Sequence, residues 1–142
     1  MATKAFSKKL HEQNDEKARQ IAKDFFTKQG FLVQDNPNKY GVDLIAYKDG
    51  ELKFYIECEI KRVWKEDKFP YGSVQFPERK WKFCNLDRPT AFFMLNNKCN
   101  HAVLVTGQDL VKSPLRAVPN IYMQKDENFF QVPLDKATFV EL

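Results

Sequence analysis

Apolar and polar positions follow a helical period first and a strand period afterwards. Leu10, Ala18, Ile21, Ala22, Phe25 and Phe26 recur at three-and-four spacing and form one stripe, with Ser7 as a plausible N-cap and Gly30 as a left-handed stop. Glu12, Asp15, Glu16, Lys17, Arg19 and Lys23 fill the rest of that helix. After Gly30 the period shortens. Phe31-Leu32-Val33 predicts a short strand, Asp35–Lys39 a turn-rich loop, and Gly41–Tyr47 a buried strand. Lys48-Asp49-Gly50-Glu51 carries an Asp-Gly turn signal, so Leu52–Lys61 is the returning partner and Val42–Lys61 an antiparallel hairpin. Ala91–Leu95 and Ala102–Thr106 read as further strands. Between them and the hairpin, Arg62–Pro89 is basic, aromatic and irregular, with a short helix expected from Pro77 at its first position. Phe129–Leu142 is expected to pack on the body. These elements predict an α/β or α+β domain built on one sheet.

Length and composition narrow the class. The 142 residues suit a single domain spanning 1–142, and 43% hydrophobic with 14% aromatic residues supply a core. A net charge of +4 and a pI near 8.9 are too mild to demand a polyanionic partner, so the placement of charge must decide. No apolar run approaches the ~18 residues of a membrane span, and no apolar segment follows the basic N-terminus as a secretory signal requires. Three cysteines without a Cys-x-x-Cys pair, and two histidines, make neither a disulfide framework nor a zinc site. The chain reads as a reduced, cytoplasmic protein with no membrane association.

Chemistry concentrates on Phe54–Lys61. Alternation puts Phe54, Ile56, Cys58 and Ile60 on one face, and Tyr55, Glu57, Glu59 and Lys61 on the other, ~7 Å apart along the strand. A solvated sheet face would produce the same pattern. The neighbouring strand changes the balance, because Asp43, just after Gly41, can converge on Glu59. Two carboxylates with an intervening carbonyl make an all-oxygen site suited to a hard cation such as Mg²⁺, and an adjacent Lys can stabilise a phosphoryl group under attack.

Gly41-Val42-Asp43-Leu44-Ile45 followed by Glu59-Ile60-Lys61 resembles the PD-(D/E)XK nuclease superfamily, with Val42 in place of the Pro. Within it, the helix bearing Glu16, the Gly30-Phe31 step and Glu59-Ile60-Lys61-Arg62 are most similar to small Holliday-junction-resolvase-type and phage nucleases, over residues 10–62. The resemblance implies a restriction-endonuclease-like core: an N-terminal helix, then an antiparallel meander in a mixed central sheet with flanking helices. It implies Asp43 and Glu59 as metal ligands, Lys61 as the catalytic lysine, and Glu16 as a helix carboxylate placing water or metal. It further implies Mg²⁺, with Mn²⁺ able to substitute, and a 5′-phosphate product. Glu57 is extra to the motif; it either helps hold a second cation or offsets Lys61 and Arg62, and the second is favoured.

Arg62, Lys65, Lys68, Arg79, Lys80, Lys82 and Arg88 outnumber the acids of the following stretch and lie among Trp64, Phe69, Tyr71, Phe76, Trp81 and Phe83. Basic groups neutralise phosphates and aromatic rings stack on bases, although Trp81 and Phe83 suit a core equally well. Gln75 and Arg79 could reach the scissile region. The expected activity is metal-dependent endonucleolytic cleavage, of DNA rather than RNA and either structure-selective or weakly specific. The alternative is a nuclease-fold binding module without turnover. Junction resolution would need a homodimer, for which Phe129-Phe130 could serve, or that pair could finish the core. The compact length is compatible with a phage origin.

Overall fold

The helical stripe folds as read. A computed structural model describes residues 8–120 and 125–142, and in it α1 (Lys8–Lys28) buries Ala18, Ala22 and Phe26 against a sheet. The Ser7 cap and the side chains of Leu10 and Glu12 lie outside the described residues. Gly30, at φ +99°, ends the helix: its N–H donates to the Thr27 carbonyl and the Phe31 N–H to the Phe26 carbonyl. That pair of bonds satisfies carbonyls the last turn leaves open, in the Schellman pattern. Phe31 then packs edge-on to Phe54.

The strands β1 (Leu32–Asp35), β2 (Leu44–Lys48) and β3 (Glu51–Ile60) form the expected antiparallel meander. The turn between β2 and β3 has both central residues at positive φ, Asp49 at 53° and Gly50 at 76°, which matches the twist of a tight hairpin. β5 (Thr90–Leu95) lies parallel to β3, while β6 (His101–Thr106) and β9 (Thr138–Glu141) add antiparallel strands. The result is a mixed six-stranded sheet in the order β1-β2-β3-β5-β6-β9.

The expectation of one sheet is corrected by the structure. β4 (Ser73–Pro77), β7 (Leu115–Asn120) and β8 (Lys125–Pro133) make a second, three-stranded antiparallel sheet in the order β4-β8-β7. β4 falls in the stretch expected to be irregular. Its alternation, Val74 and Phe76 buried between half-buried neighbours, is too short to announce a strand, and its partner lies some fifty residues on. A 3₁₀ helix, Glu78–Cys84, follows β4, with Pro77 as the residue before it and not within it. Thus α1 covers one face of the main sheet, with Leu44, Ala46, Ile56, Phe93 and Leu95. The other face is covered by the second sheet, the 3₁₀ helix and a short α2 (Gly107–Val111), around Phe76, Phe83, Phe92, Leu110 and Phe130. Phe130 of the tail therefore finishes the core. Trp64, Phe76 and Phe83 are buried and Trp81 is half exposed, so most of the aromatic run is packing.

Candidate active site

The alternation of β3 is as expected, but the charged face is not solvated. Phe54, Cys58 and Ile60 pack on the helix side, and Glu57 and Glu59 face β4 and the 3₁₀ helix, where Phe76, Lys80 and Phe92 complete a crevice of about 10 Å³. That volume holds about one water.

The β2–β3 ladder begins at the Leu44–Ile56 pair, so Asp43, one residue before β2, lies across from Glu57, and its charge also reaches Glu59. Counting back from the turn, Lys48 pairs with Glu51 and Tyr47 with Leu52, which would set Asp43 against Ile56. A bulge between Ala46 and Tyr47 adds one residue to β3 and brings Asp43 opposite Glu57. The two carboxylates then replace ladder carbonyls. The Asp43 N–H donates to Glu57 Oε2 at 3.0 Å, and the Cys58 N–H donates to Asp43 Oδ2 at 2.9 Å. Asp43 is thus held to β3 twice, its N–H by the Glu57 carboxylate and its own carboxylate by the Cys58 N–H, just before β2 begins.

Lys80 is the cation of this cluster. Its Nζ lies 2.9 Å from Glu57 Oε1, so Glu57 offsets Lys80 and not Lys61 or Arg62. Burial and then the Asp43 charge push the Glu57 carboxyl up to about 7, against the pull of Lys80. Burial also raises Glu59, opposed by Lys80, Lys61 and Arg79. Burial alone would lower Lys80, but Glu57, followed by Glu59 and Asp43, holds it above lysine's ordinary value. Burial drives the Cys58 thiol upward, and it remains a neutral donor toward Asp43 Oδ2 at 3.7 Å.

These shifts set a pH dependence. A carboxyl raised from about 4.3 unfolded to about 7 folded makes the native state bind more protons, so stability falls as pH rises through that interval and levels above it. Lys80, raised in the folded state, contributes stability that is lost only in the alkaline range. Glu57→Gln is expected to flatten the slope between pH 5 and 7.5, measured by urea unfolding at each pH; an unchanged slope would reject Glu57 as its source.

The remaining sequence-predicted residues are spread more widely. Lys61 is half-buried, its Nζ 5.2 Å from the Tyr71 ring centroid, and its N–H donates to the Leu95 carbonyl. Glu16 is exposed on α1, one turn before Arg19, which lines a cleft with Asp43. Arg62, Lys65 and Lys68 are exposed beyond β3. Arg79 pairs with Glu127 at 2.7 Å, and Gln75 donates to Gln131 Oε1 at 3.1 Å, so both are engaged with β8. Sequence reasoning placed Lys80 on a nucleic-acid surface and missed its bond to Glu57, which no local spacing signals.

The loop before Asp43 is built tightly. Asn36 Nδ2 donates to the Val42 carbonyl, and a Cβ at Gly41 would come within 2.6 Å of that nitrogen. Gly41→Ala is therefore expected to cost about 1–2 kcal/mol, because the Asn36 amide must give up its bond or the loop must move. Chemical denaturation checks this, and a change below ~0.3 kcal/mol would show that the loop yields freely.

Among the described residues, no three His, Cys, Asp or Glu side chains are already gathered as a cation cage, and no helix is long and apolar enough to cross a membrane. Compared with known proteins, the chain matches no family model, no curated protein and no solved structure. What is established is an α+β chain with a mixed sheet and a carboxylate–lysine cluster at the β2–β3 junction.

Proposed function

We propose that the chain is a divalent-metal-dependent endonuclease with a restriction-endonuclease-like PD-(D/E)XK core, acting on DNA in preference to RNA. The observation that carries this reading is the juxtaposition of Asp43 and Glu57 across the hairpin, with Glu59 two residues on and Lys80 and Lys61 exerting their charge on it. The donor set suits a hard cation, because the candidate ligands Asp43 and Glu59 offer carboxylate oxygens. Glu57 has one oxygen on Lys80 and the other on the Asp43 amide, so it anchors both neighbours, while Asp43 and Glu59 are the donors that would hold Mg²⁺ or Mn²⁺. A bound ion supplies Lewis-acid polarisation of a phosphoryl oxygen and a more acidic water. Lys61 and Lys80 counter the negative charge that grows on the phosphate.

A second reading, a nuclease-fold binding module without turnover, draws support from the Lys80–Glu57 pair, which already neutralises part of the cluster. One experiment separates them: a labelled panel of single strand, duplex, flap and four-way junction, incubated with Mg²⁺, Mn²⁺ or EDTA. Metal-dependent cutting that disappears in Glu59→Ala and Lys61→Ala supports the nuclease. Binding without cutting, unaffected by either substitution, supports the module.

A further inference from the structure

The crevice beside Glu57 and Glu59 has room for about one water, so a substrate must be held elsewhere. A cleft of about 300 Å³ opens at Asp43, between α1 and the loop 36–41, lined by Arg19, Asp35, Asn38, Lys39 and Asp43 among others, with Arg19 Nε 3.9 Å from Asp35 Oδ1. Its loop is held in shape by its own amides. Asn36 Oδ1 accepts from the Asn38 N–H, Asn38 Oδ1 accepts from the Tyr40 N–H, and the Gly41 N–H donates to the Asn38 carbonyl. On this loop Tyr40 is 78% exposed, the most exposed large apolar side chain among the described residues, with Lys39 Nζ 5.3 Å from its ring centroid.

An aromatic ring presented to solvent beside Lys39, a residue that also lines the cleft with Arg19 and Asp43, matches what a nucleotide requires. The ring offers a stacking face and the cations offer phosphate neutralisation. We infer that the loop 36–41 and the adjoining face of α1 form a nucleotide subsite: Tyr40 stacks on an unpaired base, and Lys39 and Arg19 take the phosphate next to Asp43. The identity of the ligand rests on the nuclease reading; the cleft, the loop and the exposed ring do not. The subsite selects substrates with an unpaired nucleotide next to the cut.

The test is fluorescence anisotropy of the full chain in EDTA, with labelled single-stranded DNA, the same sequence as RNA, and duplex DNA. Tyr40→Ala is expected to raise the single-strand Kd about 5- to 100-fold, Tyr40→Phe to stay within about twofold of wild type, and duplex binding to change less than about twofold. Lys39→Ala is expected to lower the slope of log Kd against log salt by about one. The RNA and DNA arms identify which strand the subsite accepts. Both side chains are exposed, so thermal melting of the variants should match wild type. Single-strand binding by Tyr40→Ala within twofold of wild type would overturn the subsite, as would an equal loss for duplex, which needs no stacking. Cleavage by wild type with no effect of Tyr40→Ala on binding would reject the subsite and keep the nuclease. The stated losses in a chain that cuts nothing with either metal would keep the subsite and reject the nuclease. No binding to any of the three probes would reject the subsite.

Discussion

Asp43→Asn is expected to lower metal-dependent cleavage by at least about 100-fold while leaving the chain folded. The amide keeps an oxygen that can accept the Cys58 N–H, so the splice between β2 and β3 survives. What it loses is the charge, and with it a donor for a hard cation; loss of even an outer partner of a metal site typically costs 10–100-fold, by order of magnitude about what a ligand must exceed. The same substitution removes the charge that, after burial, most raises Glu57, so the Glu57 carboxyl should titrate lower than in wild type. Three measurements therefore move apart: cleavage rate across a Mg²⁺ titration falls, melting temperature changes little, and the Glu57 titration, followed by carboxyl NMR, shifts down. Cleavage within tenfold of wild type would reject Asp43 as a ligand. A collapsed melting temperature would show that its charge is structural.

Trp64→Ala should produce the largest loss of stability, about 3–5 kcal/mol by urea unfolding. The ring is 1% exposed, packs edge-on to Phe69 at 5.0 Å between centroids, and donates from Nε1 to the Lys68 carbonyl at 3.2 Å. Truncation therefore leaves a cavity and removes a hydrogen bond. The backbone of Trp64 has a second role, because its N–H donates to the Lys61 carbonyl and its carbonyl accepts from Asn97. These bonds pin the turn in which β3 ends, directly after Lys61. Trp64→Phe, which keeps most of the packing and loses the N–H donor, should cost about 1–2 kcal/mol. A loss below ~1 kcal/mol in the Ala variant would mean the ring is not a core element.

Local pattern carried a good part of this chain. The stripe from Ala18 to Phe26 and the stop at Gly30 are legible because helix period and a left-handed glycine act within a few residues of each other. Asp49-Gly50 is legible because the tight turn needs both residues at positive φ, and few pairs adopt that cheaply. The identity of the charged residues on β3 followed from alternation alone. β4 did not, since the five residues Ser73–Pro77 are a strand only when β8 supplies the other half of the ladder.

The sequence by itself determined which residues could form a carboxylate cluster: Asp43 at the start of one strand of the hairpin, Glu57 and Glu59 on the other, and a polar face opposite Phe54, Ile56 and Cys58. Tertiary structure decided how they meet. One bulged residue in β3 moves the register by a single step and sets Asp43 against Glu57, and a shift of one step exchanges the faces of a strand. The parallel crossover from β3 to β5 carries Lys80 back over the sheet onto Glu57. Neither is written in local spacing, because hydrophobic period specifies a face within one element, whereas register and partner are settled by packing between elements distant in the chain.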